Sequence, residues 1–262
     1  MKNPKNSLSS SFLNWLASEL STRMREKLSL VKISPATILD YVDFSEDSFR
    51  ALHESFPKAH LSAQPGFSRT IIDVVQNLFG KGVPKHDSLE PDPDRIPLPD
   101  SKIDLLWASA WQFAHNQEWQ GTLHEWRRVM KVGGLLMFSY LGPDTAQELR
   151  KTELLSGVLG VDMHDMGDAL SKAYFSDPVM DMEFLTLTYD SPALFYGDLQ
   201  SLNLLKPGVS LSDFSQSIEV LKGEDGIWRM TLEVVYGHAW AFEARPKGVA
   251  MIRPEDIKVK SK

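Results

Sequence analysis

Two continuous apolar runs constrain the fold of this chain more than any other feature of its sequence. The stretch KIDLLWASA covers residues 102–110 and the stretch LLMFSYL covers residues 135–141, with a helix-like stretch over residues 118–130 between them. Strands that read as unbroken apolar runs are covered on both faces, as in a parallel sheet. Strands that alternate with helices along the chain also indicate a parallel, doubly wound sheet. The sequence therefore predicts an α/β fold with a mostly parallel sheet.

Weaker signals on both sides of these runs extend the same pattern. The predicted strands cover residues 37–40, 60–63, 103–109, 135–140, 182–190 and 230–244, and the predicted helices cover residues 45–56, 68–78, 118–130, 144–155, 161–175 and 192–204. We expect the strands over 37–40, 103–109 and 135–140 to be adjacent and parallel at the centre of the sheet. The two late strands lack the long crossover helix that parallel neighbours need, so we expect an antiparallel pair at one edge.

The N-terminal segment admits two interpretations. Apolar residues recur nearly every fourth position from Phe12 to Leu28, which predicts a helix with one buried face. Residues 1–18 also carry Lys2 and Lys5, are rich in serine and contain no acid, which resembles a transit peptide. We favour the structural helix, because its apolar face continues directly into the predicted domain.

Length and composition exclude several classes of protein. A chain of 262 residues is long enough for one α/β domain with additions, which we assign to residues 1–246 and follow with a flexible basic tail over 247–262. The net charge of −7 argues against nonspecific nucleic-acid binding. No apolar stretch approaches the length of a membrane span. The absence of cysteine excludes disulfides, thiolate metal sites and a cysteine nucleophile.

The turn after the first predicted strand is the first candidate ligand site. In folds that bind a nucleotide at this place the turn is rich in glycine, because glycine adopts positive φ and lets the backbone approach the ligand. Here the turn reads Tyr41-Val42-Asp43-Phe44, and the first glycine of the chain is Gly66. The sequence thus shows the position of a nucleotide site without its usual turn.

Several stretches of the sequence are similar to those of one protein family. They are NWLASELSTRMREKL (14–28), DPDRIPLPDSKIDLLWASAWQF (92–113), LHEWRRVMKVGGLLMFSYLGPDTAQEL (123–149), VDMHDMGDAL (161–170) and VVYGHAW (234–240). Over residues 12–242 the chain resembles the class I S-adenosylmethionine-dependent methyltransferases. Within them it resembles the malonyl-acyl-carrier-protein O-methyltransferases of biotin synthesis and the related mitochondrial complex I assembly factors. The resemblance implies a Rossmann-like fold, an acyl carrier protein as partner and a bacterial cytoplasmic location.

The resemblance also implies S-adenosylmethionine as cofactor and assigns four residues to its site. Asp40 matches the acid that ends the first strand, and Gln64 stands where an acid binds the ribose hydroxyls. Asp92 matches the residue that takes the adenine amino group, and Ala108 matches a position on the fourth strand. Pro93, next to Asp92, has no backbone N–H to offer the adenine ring.

Three departures from the family pattern affect this one ligand. They are the turn over 41–44 without glycine, the neutral Gln64 and the missing donor at Pro93. Together they predict that cofactor binding is weak or lost. A rearranged turn in which Asp43 or Glu46 takes the ribose hydroxyls is the alternative.

A group of polar residues in the stretch VDMHDMGDAL has two interpretations. Asp162, His164, Asp165 and Asp168 place four oxygen or nitrogen donors within seven residues, which would suit a divalent cation. The alternative is a helix N-cap followed by acids in the first turn, which the helix dipole favours. We favour the cap.

Other polar side chains also leave two interpretations open. His238, after Gly237 in the last strand, could act as an acid or base on a substrate or could pack within the sheet, and a bulge at Gly237 would re-aim it. Arg127, Arg128 and Lys131 could complement a helix dipole or could dock an acidic carrier protein.

No catalytic pair is evident, and the chemistry does not require one. A carboxylate is already nucleophilic, so an ester-forming methyl transfer depends on positioning and desolvation. Trp107, Trp111 and Trp119 lie in sequence near the expected cleft. The sequence therefore leaves three hypotheses, namely a carrier-protein methyltransferase with a divergent cofactor loop, a non-catalytic binding or assembly protein, and a different reaction in the same cleft.

Overall fold

A seven-stranded sheet forms the centre of the molecule in the computed structural model, which describes residues 5–41, 46–63, 87–88, 95–111, 119–156 and 160–243. The strands are β1 (Thr37–Asp40), β2 (His60–Ala63), β3 (Asp87–Ser88), β4 (Ile103–Trp111), β5 (Met130–Leu141), β6 (Phe175–Tyr189) and β7 (Trp228–Ala241). Their order across the sheet is β3-β2-β1-β4-β5-β7-β6. The predicted α/β fold is confirmed.

Six α-helices are described around this sheet. They are α1 (Lys5–Leu28), α2 (Glu46–Ser55), α3 (Trp119–Val129), α4 (Met163–Lys172), α5 (Pro192–Ser201) and α6 (Leu211–Ile218), with 3₁₀ segments at Gln147–Thr152 and Glu219–Leu221. None of the described helices combines the length and the apolar character that a membrane crossing requires. The predicted helix over 68–78 and the tail over 247–262 lie outside the described residues.

The three predicted central strands are adjacent and parallel. Ile38 of β1 pairs with Leu105 of β4, and Leu105 pairs in turn with Leu135 of β5. These three side chains are fully buried, as expected for strands that helices cover on both faces. The predicted antiparallel pair is also confirmed, since β7 runs antiparallel to both β5 and β6 and β6 forms the edge of the sheet.

Helices cover the two faces of the sheet in two separate hydrophobic clusters. The first cluster unites α1, α2, α5 and α6 with one face, through side chains such as Leu20, Phe195 and Phe214. The second unites α3 and α4 with the other face, through Trp126 and Met166. The structural interpretation of the N-terminal segment is therefore confirmed, because α1 lies in the core.

Several elements differ from their predicted extents. β5 begins at Met130 rather than at residue 135, and the helix predicted over 144–155 is present only as the 3₁₀ segment Gln147–Thr152. β6 begins at Phe175 rather than at residue 182, because a register shift between Ser176 and Val179 interrupts the alternation that marks a strand. Helix α6 was not predicted. It is only two turns long. Ser210 caps it by accepting a hydrogen bond from the backbone N–H of Asp213 at 3.1 Å, and this capping pattern is visible in the sequence.

Candidate active site

The order of the strands places the candidate site at the carboxyl ends of β1 and β4. In open α/β sheets, ligands bind where the strand order changes direction. Here β1 leads outward to β2 and β3, whereas β4 leads the other way to β5. The segments that follow β1, β2 and β4, namely 42–45, 64–86 and 112–118, lie outside the described residues.

Asp40 lies at the end of β1, where the resemblance places it, but its carboxyl is enclosed. The residue is 2% exposed, and the hydroxyl of Ser48 on α2 donates a long hydrogen bond of 3.4 Å to Oδ1. Burial raises the pKa of Asp40 well above its usual value, and the bond from Ser48 offsets this only in part. The described contacts thus show a carboxyl directed at α2.

The neighbouring positions on β4 are equally buried. Ala108 is fully buried and pairs with Phe138 of β5. Trp107 pairs with Asp40, lies in the first cluster, and has an indole N–H without a hydrogen-bond partner among the described residues. A buried donor of this kind calls for a hydrogen-bond partner. Gln64 and Asp92 lie outside the described residues.

The other side of the site is tightly built. The loop that follows β5 is fixed to β7, because Gly142 N donates to Glu233 O at 2.8 Å and Asp144 N donates to the Glu233 carboxylate. The hydroxyl of Thr145 accepts from Glu233 N at 3.2 Å. A Cβ at position 142 would lie 2.4 Å from Glu233 Cδ, which explains the glycine there.

A second glutamate fixes the 3₁₀ segment that follows this loop. The Glu148 carboxylate accepts hydrogen bonds from the backbone N–H of Thr231 at 3.1 Å and from its hydroxyl. Ala146 N donates to Thr231 O at 2.7 Å. Arg150, two residues beyond Glu148, donates from Nη2 to Pro143 O at 2.6 Å and to Asp144. The segment from Gly142 to Arg150 is therefore held by β7 along its length.

Acidic groups meet at this edge. Glu233 is 5% exposed, and burial together with Asp144 and Asp162 raises its pKa. Burial, helped by the charge of Asp162, also raises the pKa of Tyr140, which stacks on Phe138 in the second cluster. The sequence analysis missed Glu233, Glu148 and Arg150. Glu148 lies within the quoted stretch GPDTAQEL, and Arg150 directly follows it.

The acidic stretch before α4 forms a helix cap. Asp162 is the N-cap residue, and its carboxylate accepts hydrogen bonds from the His164 backbone and from His164 Nδ1, each at 2.8 Å. The backbone bond lowers the pKa of Asp162. Within the described ranges no group of three His, Asp or Glu side chains is arranged to hold a metal ion. The cap interpretation is confirmed.

His238 lies away from the carboxyl edge. It pairs with Met137 of β5 and with Val179 of β6, and Met137 precedes the end of β5 by four residues, or roughly 13 Å of strand. Burial lowers its pKa. The predicted bulge at Gly237 is wrong, because both ladders run through this residue without interruption. Gly237 instead makes room for Phe138, whose Cζ would lie 2.2 Å from a Cβ there.

The predicted basic face on α3 is used within the chain. Arg128 donates to the Glu125 and Asp100 carboxylates and to the carbonyls of Ile96 and Leu98. Arg127 donates to Phe242 O and to Met130 O, and Lys131 pairs with Asp104 at 2.8 Å. These contacts anchor neighbouring segments, and carboxylates neutralise the charges of Arg128 and Lys131. Of the three tryptophans, Trp107 lies in the core rather than at a cleft.

Comparisons with known proteins agree with this architecture. The family described as "Methyltransferase domain" matches residues 67–138, a segment that begins after β1 and β2. The YcgJ protein of Bacillus subtilis has a similar structure, with a TM-score of 0.61 and 14% identity over 85% of this chain and 99% of that one. A putative methyltransferase of Bacillus halodurans is similar with the same TM-score and 15% identity. At these identities the structures establish the fold alone.

Curated relatives identify the family. A malonyl-[acyl-carrier protein] O-methyltransferase of Laribacter hongkongensis is 34% identical over 88% of this chain and 84% of its own length. The enzyme of the same name from Gallionella capsiferriformans is 34% identical over 91% of this chain and 89% of its own length. This identity extends over most of each chain, and the chain belongs to the malonyl-[acyl-carrier protein] O-methyltransferase family of class I methyltransferases.

Proposed function

We propose that this protein recognises a malonyl group on an acyl carrier protein, as its relatives' names describe, and binds S-adenosylmethionine weakly. The observation that carries the proposal is the contrast between the two sides of the carboxyl edge. The segment from Gly142 to Arg150 is fixed to β7 by hydrogen bonds. At β1, by contrast, the Asp40 carboxyl faces α2, and the sequence after β1 has Val42 and Phe44 where the family has glycine.

The expected loss of cofactor affinity is large. A charge-assisted hydrogen bond contributes about 1.5–3 kcal/mol, and Gln64 offers a neutral acceptor where the family has an acid. Each 1.4 kcal/mol corresponds to roughly a tenfold change in affinity. Two such losses, one at Gln64 and one at the turn over 41–44, would convert a micromolar site to a millimolar one. The segment that matches the methyltransferase family begins only at residue 67, which supports the same proposal.

The acceptor chemistry places modest demands on the protein. When bound, S-adenosylmethionine supplies an electrophilic methyl group. The free carboxylate of a malonyl group is ionised at neutral pH and needs no general base, so the protein's own residues must bind and orient it and exclude water. A rigid wall such as the segment from Gly142 to Arg150 suits this task.

Two titrations test the proposal. A ligand that binds only the folded state stabilises it by about 2.7 kcal/mol at a hundred times its Kd, and each kcal/mol raises Tm by roughly 2–4 °C in a protein of this size. An intact micromolar site would therefore raise Tm by about 5–10 °C at about 100 μM to 1 mM S-adenosylmethionine. We expect a shift near zero, together with measurable binding of malonyl-loaded carrier protein. A clear rise in Tm with S-adenosylmethionine would overturn the proposal that the cofactor binds weakly. The absence of binding to malonyl-loaded carrier protein would overturn the proposed acceptor.

A non-catalytic role in binding or assembly is the second candidate. The replacement of the turn glycines by Tyr41-Val42-Asp43-Phe44 favours it, because bulky side chains there would crowd a nucleotide. A methyl-transfer assay with labelled S-adenosylmethionine and malonyl-loaded carrier protein separates the candidates. Multiple turnovers at millimolar cofactor support the enzyme, whereas carrier binding without any turnover supports the second candidate.

A further inference from the structure

β6 forms an edge of the sheet, and its two halves are built differently. Among the described strands, none pairs with the side of β6 that faces away from β7. A sheet edge offers backbone groups to a further strand, and proteins protect such edges with charges, proline and bulges. Residues 175–183 carry all three devices, namely three acids, Pro178 and the register shift between Ser176 and Val179. Residues 184–189 read FLTLTY, without a charge, a proline or a glycine, and we call them the open edge.

The contacts of β7 show which backbone groups of the open edge point outward. Both backbone groups of Thr231 are used on the β5 side of β7, since its N–H donates to Glu148 and its carbonyl accepts from Ala146. Thr231 pairs with Thr186 of β6. In an antiparallel ladder, a pair whose backbone groups point away from each other exchanges no hydrogen bonds. The N–H and C=O of Thr186 therefore point away from β7.

Alternate residues along the open edge share this orientation. Glu233, whose backbone is likewise bonded to the loop after β5, pairs with Phe184. No register shift interrupts the pairing of the open edge with β7, so the alternation of the ladder gives Thr188 the same orientation. Phe184, Thr186 and Thr188 thus direct three N–H and three C=O groups outward in a row, and their side chains are exposed as well.

We propose that the open edge binds the open edge of a second copy of this chain, in antiparallel orientation, about a twofold axis at Thr186. In this register Thr186 pairs with Thr186 of the second copy, and Phe184 pairs with Thr188. Each of these pairs exchanges two hydrogen bonds, because both members direct their backbone groups outward. The seven described strands of each copy then form one continuous sheet. The inference is independent of the proposed function, since it uses the far edge of the sheet.

The side chains of the open edge also match those of a second copy. Leu185 and Leu187, which pack half-buried against the first cluster, lie opposite each other across the axis and cover each other's remaining exposed surface. Phe184, which is 49% exposed, lies opposite Thr188, and aromatic residues pair favourably with β-branched ones across strands. An interface about a twofold axis requires such a self-complementary surface.

Charge favours a second copy as the occupant. The acids of β6 that lie nearest to the open edge, Asp181 and Glu183, are already paired with Lys27 and Arg23 of α1. In the proposed register Glu183 lies opposite Tyr189, and neither acid meets an acid of the second copy. Like charges directly opposite each other destabilise a strand pair, and this register avoids them. A second copy thus meets the open edge without electrostatic repulsion between the two strands.

Analytical ultracentrifugation of the full-length protein over a range of concentrations tests the proposal. One strand pair is smaller than a standard protein interface, so we expect a reversible dimer with a micromolar Kd. Thr186→Pro removes only an outward N–H, so the ladder between β6 and β7 keeps its bonds. Because both hydrogen bonds of the central pair are lost, the Kd of the dimer should rise by roughly a hundredfold.

A matched pair of lysine variants guards against a trivial loss of folding. Thr186→Lys sets two like charges opposite each other at the axis and should also raise the Kd of the dimer. Val179→Lys is the control, because Val179 is 50% exposed on the same strand but lies outside the open edge. It adds the same charge and should leave the Kd unchanged. The Tm of each variant is measured in dilute solution, where all of them should melt as the wild type does.

Amide hydrogen exchange locates the contact within the wild type. The amides of Phe184, Thr186 and Thr188 should exchange quickly in dilute solution and become protected as the concentration rises. The amides of Leu185 and Leu187 point toward β7 and should be protected at every concentration. This alternation distinguishes strand pairing from contact through side chains alone.

The remaining outcomes contradict the proposal. A monomer at every concentration overturns it. If the outward amides are protected in that monomer, another segment of the chain covers the open edge. A dimer that persists in both Thr186 variants overturns it as well, because the contact then lies on another surface. A dimer that Val179→Lys weakens as much as Thr186→Lys does would reflect total charge rather than the open edge.

Discussion

Among the described residues, the two sides of the sheet differ in the length of their strands. On one side β1, β2 and β3 contain four, four and two residues. On the other side β5, β6 and β7 contain twelve, fifteen and fourteen residues and form two antiparallel ladders. A ladder closed by backbone bonds and packed side chains needs no ligand to hold its shape. We call β5, β6 and β7 the acceptor side and β1, β2 and β3 the donor side, after the proposed function. We expect the acceptor side to keep its shape whether or not the donor side binds a cofactor.

The largest effect should come from filling space on the well-defined side. Gly237→Ala places a Cβ 2.2 Å from the ring of Phe138, which is fully buried between Trp126 and Tyr140. Overpacking a core costs about 1–3 kcal/mol, so we expect a loss near 3 kcal/mol and a fall in Tm of roughly 6–12 °C. Thermal unfolding followed by circular dichroism measures it.

Gly121→Ala is the control for this substitution. Gly121 is exposed on α3, and a Cβ added there would have no atom within 4 Å, so alanine should leave stability unchanged or raise it by about 1 kcal/mol through helix propensity. An equal loss in both variants would show that the β5–β7 ladder is not unusually tight, and the contrast between the two sides would fail.

The next prediction restores the donor side. In the triple variant Val42→Gly, Phe44→Gly and Gln64→Glu, the turn regains conformational freedom and the second strand regains a charged acceptor. At about ten times Kd a cofactor contributes roughly 1.4 kcal/mol, so Tm should rise by about 3–6 °C with S-adenosylmethionine. Gln64→Glu alone is the control and should give a smaller shift. No shift in the triple variant would place the obstacle elsewhere, as at Pro93.

The elements that could be predicted from the sequence are those with a local signal. The strands over 103–109 and 135–140 were located because unbroken apolar runs such as LLMFSYL demand cover on both faces. The N-terminal helix was located by the spacing from Phe12 to Leu28. Both signals are local. The partner of each charged side chain is set by tertiary contact, which one sequence does not encode locally.

Arg128 and Glu233 illustrate this limit. Arg128 looked like part of a docking face, but it binds Glu125 and the carbonyls of a segment about thirty residues earlier in the chain. Glu233 reads as an outlying acid in an apolar strand, yet it fixes a loop that lies some ninety residues before it. The sequence did carry a signal for this role, because an acid within a buried apolar strand needs a hydrogen-bond partner.

A smaller effect should follow from removing the enclosed carboxyl at the end of β1. Burial raises the folded pKa of Asp40 above its unfolded value, so the carboxylate lowers stability as pH rises from about 3.8 through the folded pKa. Asp40→Asn should therefore raise Tm at neutral pH by about 2–4 °C, the change that roughly 1 kcal/mol produces. The gain should vanish below about pH 3.8, where both states are protonated.

Scanning calorimetry of both proteins from acidic to neutral pH measures this difference. Asn retains an oxygen that accepts the bond from Ser48, so the substitution removes the ionisable group with little change of shape. Glu54→Gln on the exposed surface of α2 is the control and should leave Tm unchanged. A fall in Tm for Asp40→Asn at neutral pH would mean that the charge is used, and the donor side would then be better formed than the contrast requires.

The smallest effect concerns the tie between α1 and the acceptor side. Arg23 of α1 donates to Glu183 of β6 at 2.8 Å and to Glu19 at 2.7 Å, with about a third of each side chain exposed. Glu183 also accepts from the hydroxyl of Tyr236 at 2.7 Å. Ion pairs at such exposure contribute about 0.2–1 kcal/mol and are screened by salt. We expect Arg23→Gln to lower Tm by about 1–2 °C in low salt and by less in 1 M salt, where the Debye length is about 3 Å.

Arg25→Gln, at an exposed position on the same helix, is the control and should leave Tm unchanged. A loss for Arg23→Gln that is large and independent of salt would show that α1 is held to β6 by more than charge. The acceptor side would then include the N-terminal helix as a structural part.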